Sequence, residues 1–227
     1  MITDFVGITF WVATASMLAS SVFFFIERGD VIKQWRTSLT VAGLVTGVAF
    51  WHYLFMRNIW VDTGMSPTSY RYVDWIITVP LQIVEFYLIL KAVTKVKTSL
   101  FWQLLLGSMI MLIFGYLGEA NYIPDIPSFI LGMLGWLIVI YLIFFGEAAK
   151  ANSNSGNSSS QMAFNAMRWI VLVGWAIYPI GFIIGNLVEI SNAAPAMNAI
   201  YNLADLVNKT AFGLVIWAAA KQDSKDK

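Results

Sequence analysis

Cysteine is absent from the 227 residues, so disulfides and thiolate metal sites are excluded, and no metal site is expected. Charge is scarce as well. Only 12% of the residues are charged, against about 25% in an ordinary soluble domain. Hydrophobic residues make up 59%, and the mean hydropathy is +0.70. A soluble chain of this make-up would leave too much apolar surface facing water, so membrane is the class to start from. The net charge of +1 gives no pointer to nucleic acid, and no nucleic-acid partner is expected. No basic stretch precedes the first apolar run, as a secretory signal would require. Ala13-Thr14-Ala15 resembles a cleavage site only faintly, and the run continues through Phe23-Phe24-Phe25 to Glu27. It reads as a first membrane span.

A bilayer core about 30 Å thick needs roughly 20 mostly apolar residues at about 1.5 Å each. Seven runs qualify, at about 5–27, 37–57, 70–92, 98–117, 126–148, 165–188 and 196–220. The expected fold is therefore all-α, an integral membrane bundle of seven transmembrane helices, with residues 1–227 as a single domain. Between the runs, 58–69 holds Asp62, Gly64 and Pro67 and is read as able to form a small hairpin. The low-complexity stretch 149–163 reads as a flexible loop, and the charged tail Lys221–Lys227 as frayed. Of the fourteen Lys and Arg, eleven fall on the side of the first, third and fifth connections or in the tail. Arg71 and Lys209 lie within spans, which leaves Arg57 alone at the opposite face. The positive-inside rule then places the N-terminus outside and the C-terminus in the cytoplasm.

Charged groups within the hydrocarbon cost about 2.5–3.5 kcal/mol on insertion scales, so those present are functional candidates. They are Arg71, Asp74 and Glu85 in the third span and Asp205 and Lys209 in the seventh, joined by His52, the one histidine, in the second. Asp205 and Lys209 are spaced i, i+4 and share a helix face. They could be an ion pair that only neutralises itself. Alternatively, a buried lysine is suited to carrying a carbonyl compound as a Schiff base. The third span favours the second reading. Arg71, Asp74, Thr78, Gln82 and Glu85 stand at offsets −3, 0, +4, +8 and +11 from the aspartate, all on one helical stripe. Asp74 and Glu85 lie about 16 Å apart along the axis, with Pro80 between them, where it can loosen the helix. A carboxyl on each side of a central protonatable nitrogen suggests a proton relay. Trp75, Trp136, Trp175, Tyr178 and Phe182, in the third, fifth and sixth spans, would suit a bound polyene.

Three segments carry a family resemblance. Arg71-Tyr72-Val73-Asp74-Trp75-Ile76-Ile77-Thr78-Val79-Pro80 resembles the third-helix signature of microbial rhodopsins. Trp175-Ala176-Ile177-Tyr178-Pro179 and Asp205-Leu206-Val207-Asn208-Lys209 look like the matching pocket segments. Asp74, Thr78 and Glu85, with Phe50-Trp51-His52-Tyr53, are similar to the proteorhodopsin branch in particular. The resemblance implies all-trans retinal on Lys209 as a protonated Schiff base, in a light-driven outward proton pump rather than an enzyme. It also implies Asp74 as counterion and proton acceptor, Asp205 as second counterion, Glu85 as cytoplasmic proton donor and His52 paired with Asp74. Gln82, where other members carry leucine, implies blue absorption. The implied setting is a bacterial inner membrane, with lipid and protons as partners. A pentameric or hexameric homo-oligomer is implied too, bringing His52 near a neighbour's Trp11. A photosensory receptor with the same pigment is the alternative, but it would not need Glu85. Chloride pumping is disfavoured by Asp74, which already supplies the negative charge, and sodium pumping goes with a different third-helix set. Glu119 and Glu189 fall near the outer face, where solvated carboxylates are the expectation.

Overall fold

The computed structural model describes residues 4–188 and 193–226. Inside lipid every backbone polar group must be satisfied within the chain, and an apolar run longer than about 20 residues does this as a helix. Among the described residues, seven helical stretches are long and apolar enough to cross a membrane: Phe5–Asp30, Lys33–Thr63, Thr68–Val93, Thr98–Glu119, Asp125–Ser153, Ser158–Leu187 and Ala194–Lys225. The described residues contain no strand. Each span packs on its neighbours in chain order, the seventh closes the ring on the first, and the second also touches the seventh across it. Trp11, Trp51, Leu106, Leu134 and Val207 point outward, leaving an apolar girdle, while the polar residues face inward. This is the reverse of a soluble fold, and it suits a hydrocarbon surrounding.

Two connections differ from the sequence expectation. The second span continues to Thr63, Gly64 closes it at φ +69°, and the third begins at Thr68. No hairpin forms among these residues. Gly64 supplies the left-handed turn that ends a helix without a Cβ penalty, so a short reversal suffices. The stretch 149–163 is ordered rather than a flexible loop. Glu147–Ser153 is helical, the chain turns at Gly156 (φ +67°), and Asn157 caps the helix that starts at Ser158 by accepting from Ser160 N at 2.7 Å. Here a capping residue outweighs low complexity. Pro80 does not interrupt the third span, which is α-helical from Thr68 to Val93. Instead, the sixth span carries two π turns, Ile170–Gly174 and Ile183–Leu187.

Glycine brings the fourth and fifth spans together. A Cβ at Gly135 would lie 2.5 Å from Met111 N and 2.7 Å from Gly107 O, so backbone meets backbone there. The end of the bundle that carries the C-terminal helix end is held by Asp223, which accepts from Gln34 Nε2 at 2.8 Å, Trp35 Nε1 at 2.8 Å and Asn157 Nδ2 at 2.7 Å. One carboxylate thus joins the first connection, the cap of the sixth span and the end of the seventh. The Lys221–Glu27 ion pair, at 2.9 Å, adds a tie between the seventh and first spans.

Candidate functional site

The third and seventh spans bring their polar stripes face to face inside the bundle. Lys209 is 3% exposed and donates to one oxygen of Asp74 and, at 3.1 Å, to Oδ2 of Asp205. The two carboxylates are served very differently. Asp205 also accepts from Tyr53 Oη at 2.8 Å, from Trp75 Nε1 at 3.1 Å and from the Tyr178 hydroxyl. Four donors on one buried carboxylate favour its anion. Asp74 has only the lysine on Oδ2, and its Oδ1 makes no hydrogen bond. That free oxygen gives Asp74 room to take a proton. Asp205 has none to spare.

The other expected residues fall around this pair. Thr78 is buried and donates to Asp74 O at 3.0 Å, a bond within its own helix. His52 Nδ1 lies 3.9 Å from Asp74 Oδ1, beside it but short of a hydrogen bond. That nitrogen is engaged by Val48 O at 2.9 Å, and since a carbonyl can only accept, Nδ1 carries the hydrogen there. Arg71 sits one turn N-terminal to Asp74, bonded to Asn198, Asn202 and Tyr53, and pairs with no carboxylate among the described residues. Glu85 is 1% exposed, about 16 Å along the third span from Asp74. Neither of its oxygens has a hydrogen-bond partner of good geometry, and Ser38 is the polar group facing it.

Lys209 and Asp205 line a cavity of about 860 Å³ of atom-free space, mouth included, that lies among the third, fourth, fifth, sixth and seventh spans. Trp75, Trp136, Trp175, Tyr178 and Phe182 all line it, as does Gln82, so the structure assembles the expected aromatic set. The ring of Trp75 meets that of Tyr178 edge-on at 4.9 Å. Trp136 is fixed by its Nε1 bond to Val171 O at 3.2 Å. Gln82 Nε2 reaches Asn208 O, next to the lysine, at 3.4 Å. Glu119 differs from the expectation of a solvated carboxylate. It lines the cavity and faces the Tyr72 hydroxyl. Glu189 lies outside the described residues.

The bacteriorhodopsin-like protein family matches residues 4–222 of the chain. The chain belongs to the bacteriorhodopsin-like family. It is 54% identical over 226 residues to the blue-light absorbing proteorhodopsin of Gamma-proteobacterium Hot 75m4, covering 99% of this chain and 90% of that protein. Against the green-light absorbing proteorhodopsin of Gamma-proteobacterium EBAC31A08, identity is 52% over 224 residues, with 99% and 90% covered. Among solved structures, the blue light-absorbing proteorhodopsin from Med12 superposes with a TM-score of 0.84 at 55% identity, covering 97% of this chain and 100% of that one. The seven-helix bundle is thus shared with these proteins in sequence and in shape.

Asn198 and Asn202 of this bacteriorhodopsin-like site escaped the sequence reading, and Tyr53 and Asn208 were read only as parts of resembling segments, without a role. Asn208 bridges the spans, donating to Gly174 O at 3.0 Å and to Tyr178 Oη at 3.3 Å. Asn198 and Asn202 were within reach. With Asp205 and Lys209 they step by 4, 3 and 4 along one face of the seventh span, the same kind of stripe read in the third. Being neutral, they carried no alarm.

Proposed function

We propose that this chain is a light-driven outward proton pump of the proteorhodopsin type, a transporter rather than an enzyme, with retinal bound covalently to Lys209 and absorption in the blue. The observation that carries this reading is a buried lysine at the end of an aromatic-walled cavity, set between a carboxylate with a free oxygen and a second carboxyl deeper toward the cytoplasm. The residues fit the group. An amine at the end of an apolar pocket can bear a carbonyl compound as an imine. Trp175 and Trp136 form apolar walls for a polyene, and the buried Asp74–Asp205 pair balances a cation on the nitrogen. When bound, retinal supplies light absorption and a change of shape that re-aims the lysine nitrogen.

The protein's own residues then divide the work. Asp74 accepts a hydrogen bond from the nitrogen in the dark and then takes that proton, its second oxygen being free of other donors. Asp205 stays the fixed anion that its four donors make it. Arg71 keeps a positive charge on the outer side of the pair, bonded to Asn198, Asn202 and Tyr53. With Ser38 facing it and neither oxygen in a hydrogen bond of good geometry, Glu85 stands on the cytoplasmic side of Lys209. It returns a proton to Lys209. Thr78 and His52 position Asp74 from its own helix and from the second span. Gln82 places an amide beside the lysine's end of the cavity, favouring the ground-state charge at the nitrogen and hence blue absorption. The direction follows from the count of cations, which sets Asp74 outward and Glu85 inward. Placement in a bacterial inner membrane, in contact with lipid, belongs to the same reading. So does assembly as a pentamer or hexamer. In the chain itself Trp11 is 49% exposed and carries the Arg57 guanidinium over its ring at 4.9 Å, so its outer face is left for a neighbour.

Light-driven acidification of a cell suspension expressing the chain with added retinal tests the proposal. The medium should acidify in light, and a protonophore should abolish the signal. Alkalinisation would reverse the direction, and no change with a pigment formed would leave the photosensory reading.

A further inference from the structure

Arg71 has an arrangement that the pump reading does not explain. It lies one helical turn outward of Asp74, in low dielectric and near two carboxylates, yet it pairs with neither. Coulomb attraction alone would draw it in. Its Nη2 donates instead to two neutral amides, Asn198 Oδ1 at 3.0 Å and Asn202 Oδ1 at 3.1 Å. Its Nη1 reaches Tyr53 Oη at 3.4 Å, and that hydroxyl in turn donates to Asp205 at 2.8 Å. The guanidinium is therefore one hydroxyl away from the second counterion.

The amide oxygens are held in place. Asn202 Nδ2 donates to Thr9 Oγ1 at 3.0 Å, and Thr9 spends its own hydrogen on Val6 O at 2.7 Å, so its oxygen is left to accept. Asn198 Nδ2 donates to Ala194 O at 2.9 Å and to Ser66 Oγ at 2.7 Å. A backbone carbonyl cannot donate, which fixes the amide orientation from both sides without appeal to atom labels. Both asparagines are buried, at 2% and 0% exposure. The faces of Tyr201 and Phe10, at 5.4 Å and 5.7 Å, complete a neutral seat for the cation. Among the described residues, a further carboxyl near this seat is Glu119, from the fourth span.

We propose that Asn198 and Asn202 are positioning residues that latch Arg71 outward, so that the negative field of Asp74 and Asp205 acts undivided on Lys209. The inference rests on the proposed function. Without the latch, Arg71 moves inward to Asp205, offsets that field and loosens the charge on the lysine nitrogen, which shifts absorption to the red. Tyr53 marks the path it would take.

The test uses the full chain with retinal in lipid, at a pH where the wild-type band does not move. Two readouts are followed: the visible band and nitrogen NMR of the Arg71 guanidinium. The double variant Asn198→Leu with Asn202→Leu keeps side-chain size and removes both acceptors. Its band should move to the red and its Arg71 signals should change. Asn202→Asp strengthens the outward hold with a charge and should show no red shift. An unchanged band with unchanged Arg71 signals in the leucine variant overturns the latch, as does the same red shift in the leucine and aspartate variants. If the double variant forms no pigment, Asn198→Leu alone, which breaks one of the two bonds, is judged by the same criteria. Wild-type protein that forms no visible pigment with retinal would instead remove the proposed function.

Discussion

Removing the Tyr53 hydroxyl should weaken the folded, pigment-bearing state by a predictable amount. Tyr53 is fully buried, and its ring packs on Phe10 with centroids 5.9 Å apart, a contact that phenylalanine preserves. Tyr53→Phe therefore deletes one bond to the ionised Asp205 and one long bond from Arg71, and little else. Hydrogen bonds to charged groups contribute about 1.5–3 kcal/mol. Asp205 Oδ2 keeps Lys209 and Trp75, each at 3.1 Å, so no oxygen is stranded and the lower end applies. The expected loss is about 1.5 kcal/mol, roughly a tenfold change in the unfolding constant. Reversible unfolding of the retinal-bound protein in mixed micelles, followed by the visible band, measures it. A loss below about 0.5 kcal/mol, within the range of ordinary surface changes, would show that the hydroxyl contributes nothing to holding Asp205. The account of a fixed anion would then fail.

Asp74→Asn should abolish outward pumping and move the pigment to the red, as read from suspension pH and the absorption spectrum. Glu85→Gln should keep the first proton transfer and slow recovery of the pigment in flash photolysis, and recovery at the wild-type rate would take Glu85 out of the donor role. Gln82→Leu removes the amide beside Asn208 and should red-shift the band, so an unmoved maximum would sink the blue assignment. Gly135→Val pushes a side chain into Met111 N and Gly107 O, forcing the fourth and fifth spans apart. It should cost about 1–3 kcal/mol or more in the same micelle assay.

The membrane spans were legible because a run of 20 apolar residues has few other fates, and the stripe on the third span because charge in such a run is conspicuous. Span ends were less so. The second helix extends from the expected 57 to Thr63, and the sixth begins at Ser158 rather than 165, since polar residues continue a helix freely beyond the hydrocarbon. The π turn at Ile170–Gly174 had no local signal. Its carbonyls are taken by Trp136 and Asn208 from other spans, so the cause is tertiary. Tyr53 was visible as a residue but not as a donor, because the rotation of the second span about its axis decides what its hydroxyl meets.

The pairing of Lys209 with Asp74 spans 135 residues, which has a consequence for synthesis. At about 5–20 residues per second, roughly 7–27 s separate the emergence of the two partners. For that interval the third span resides in the bilayer with its acids and Arg71 but without the lysine that balances Asp74. The seventh span arrives with its own compensation, Asp205 one turn before Lys209. The early half of the protein must therefore tolerate an incomplete charge set. The late half carries neutralisation within itself and exchanges part of it on arrival, so the site is assembled only once the seventh span is in place.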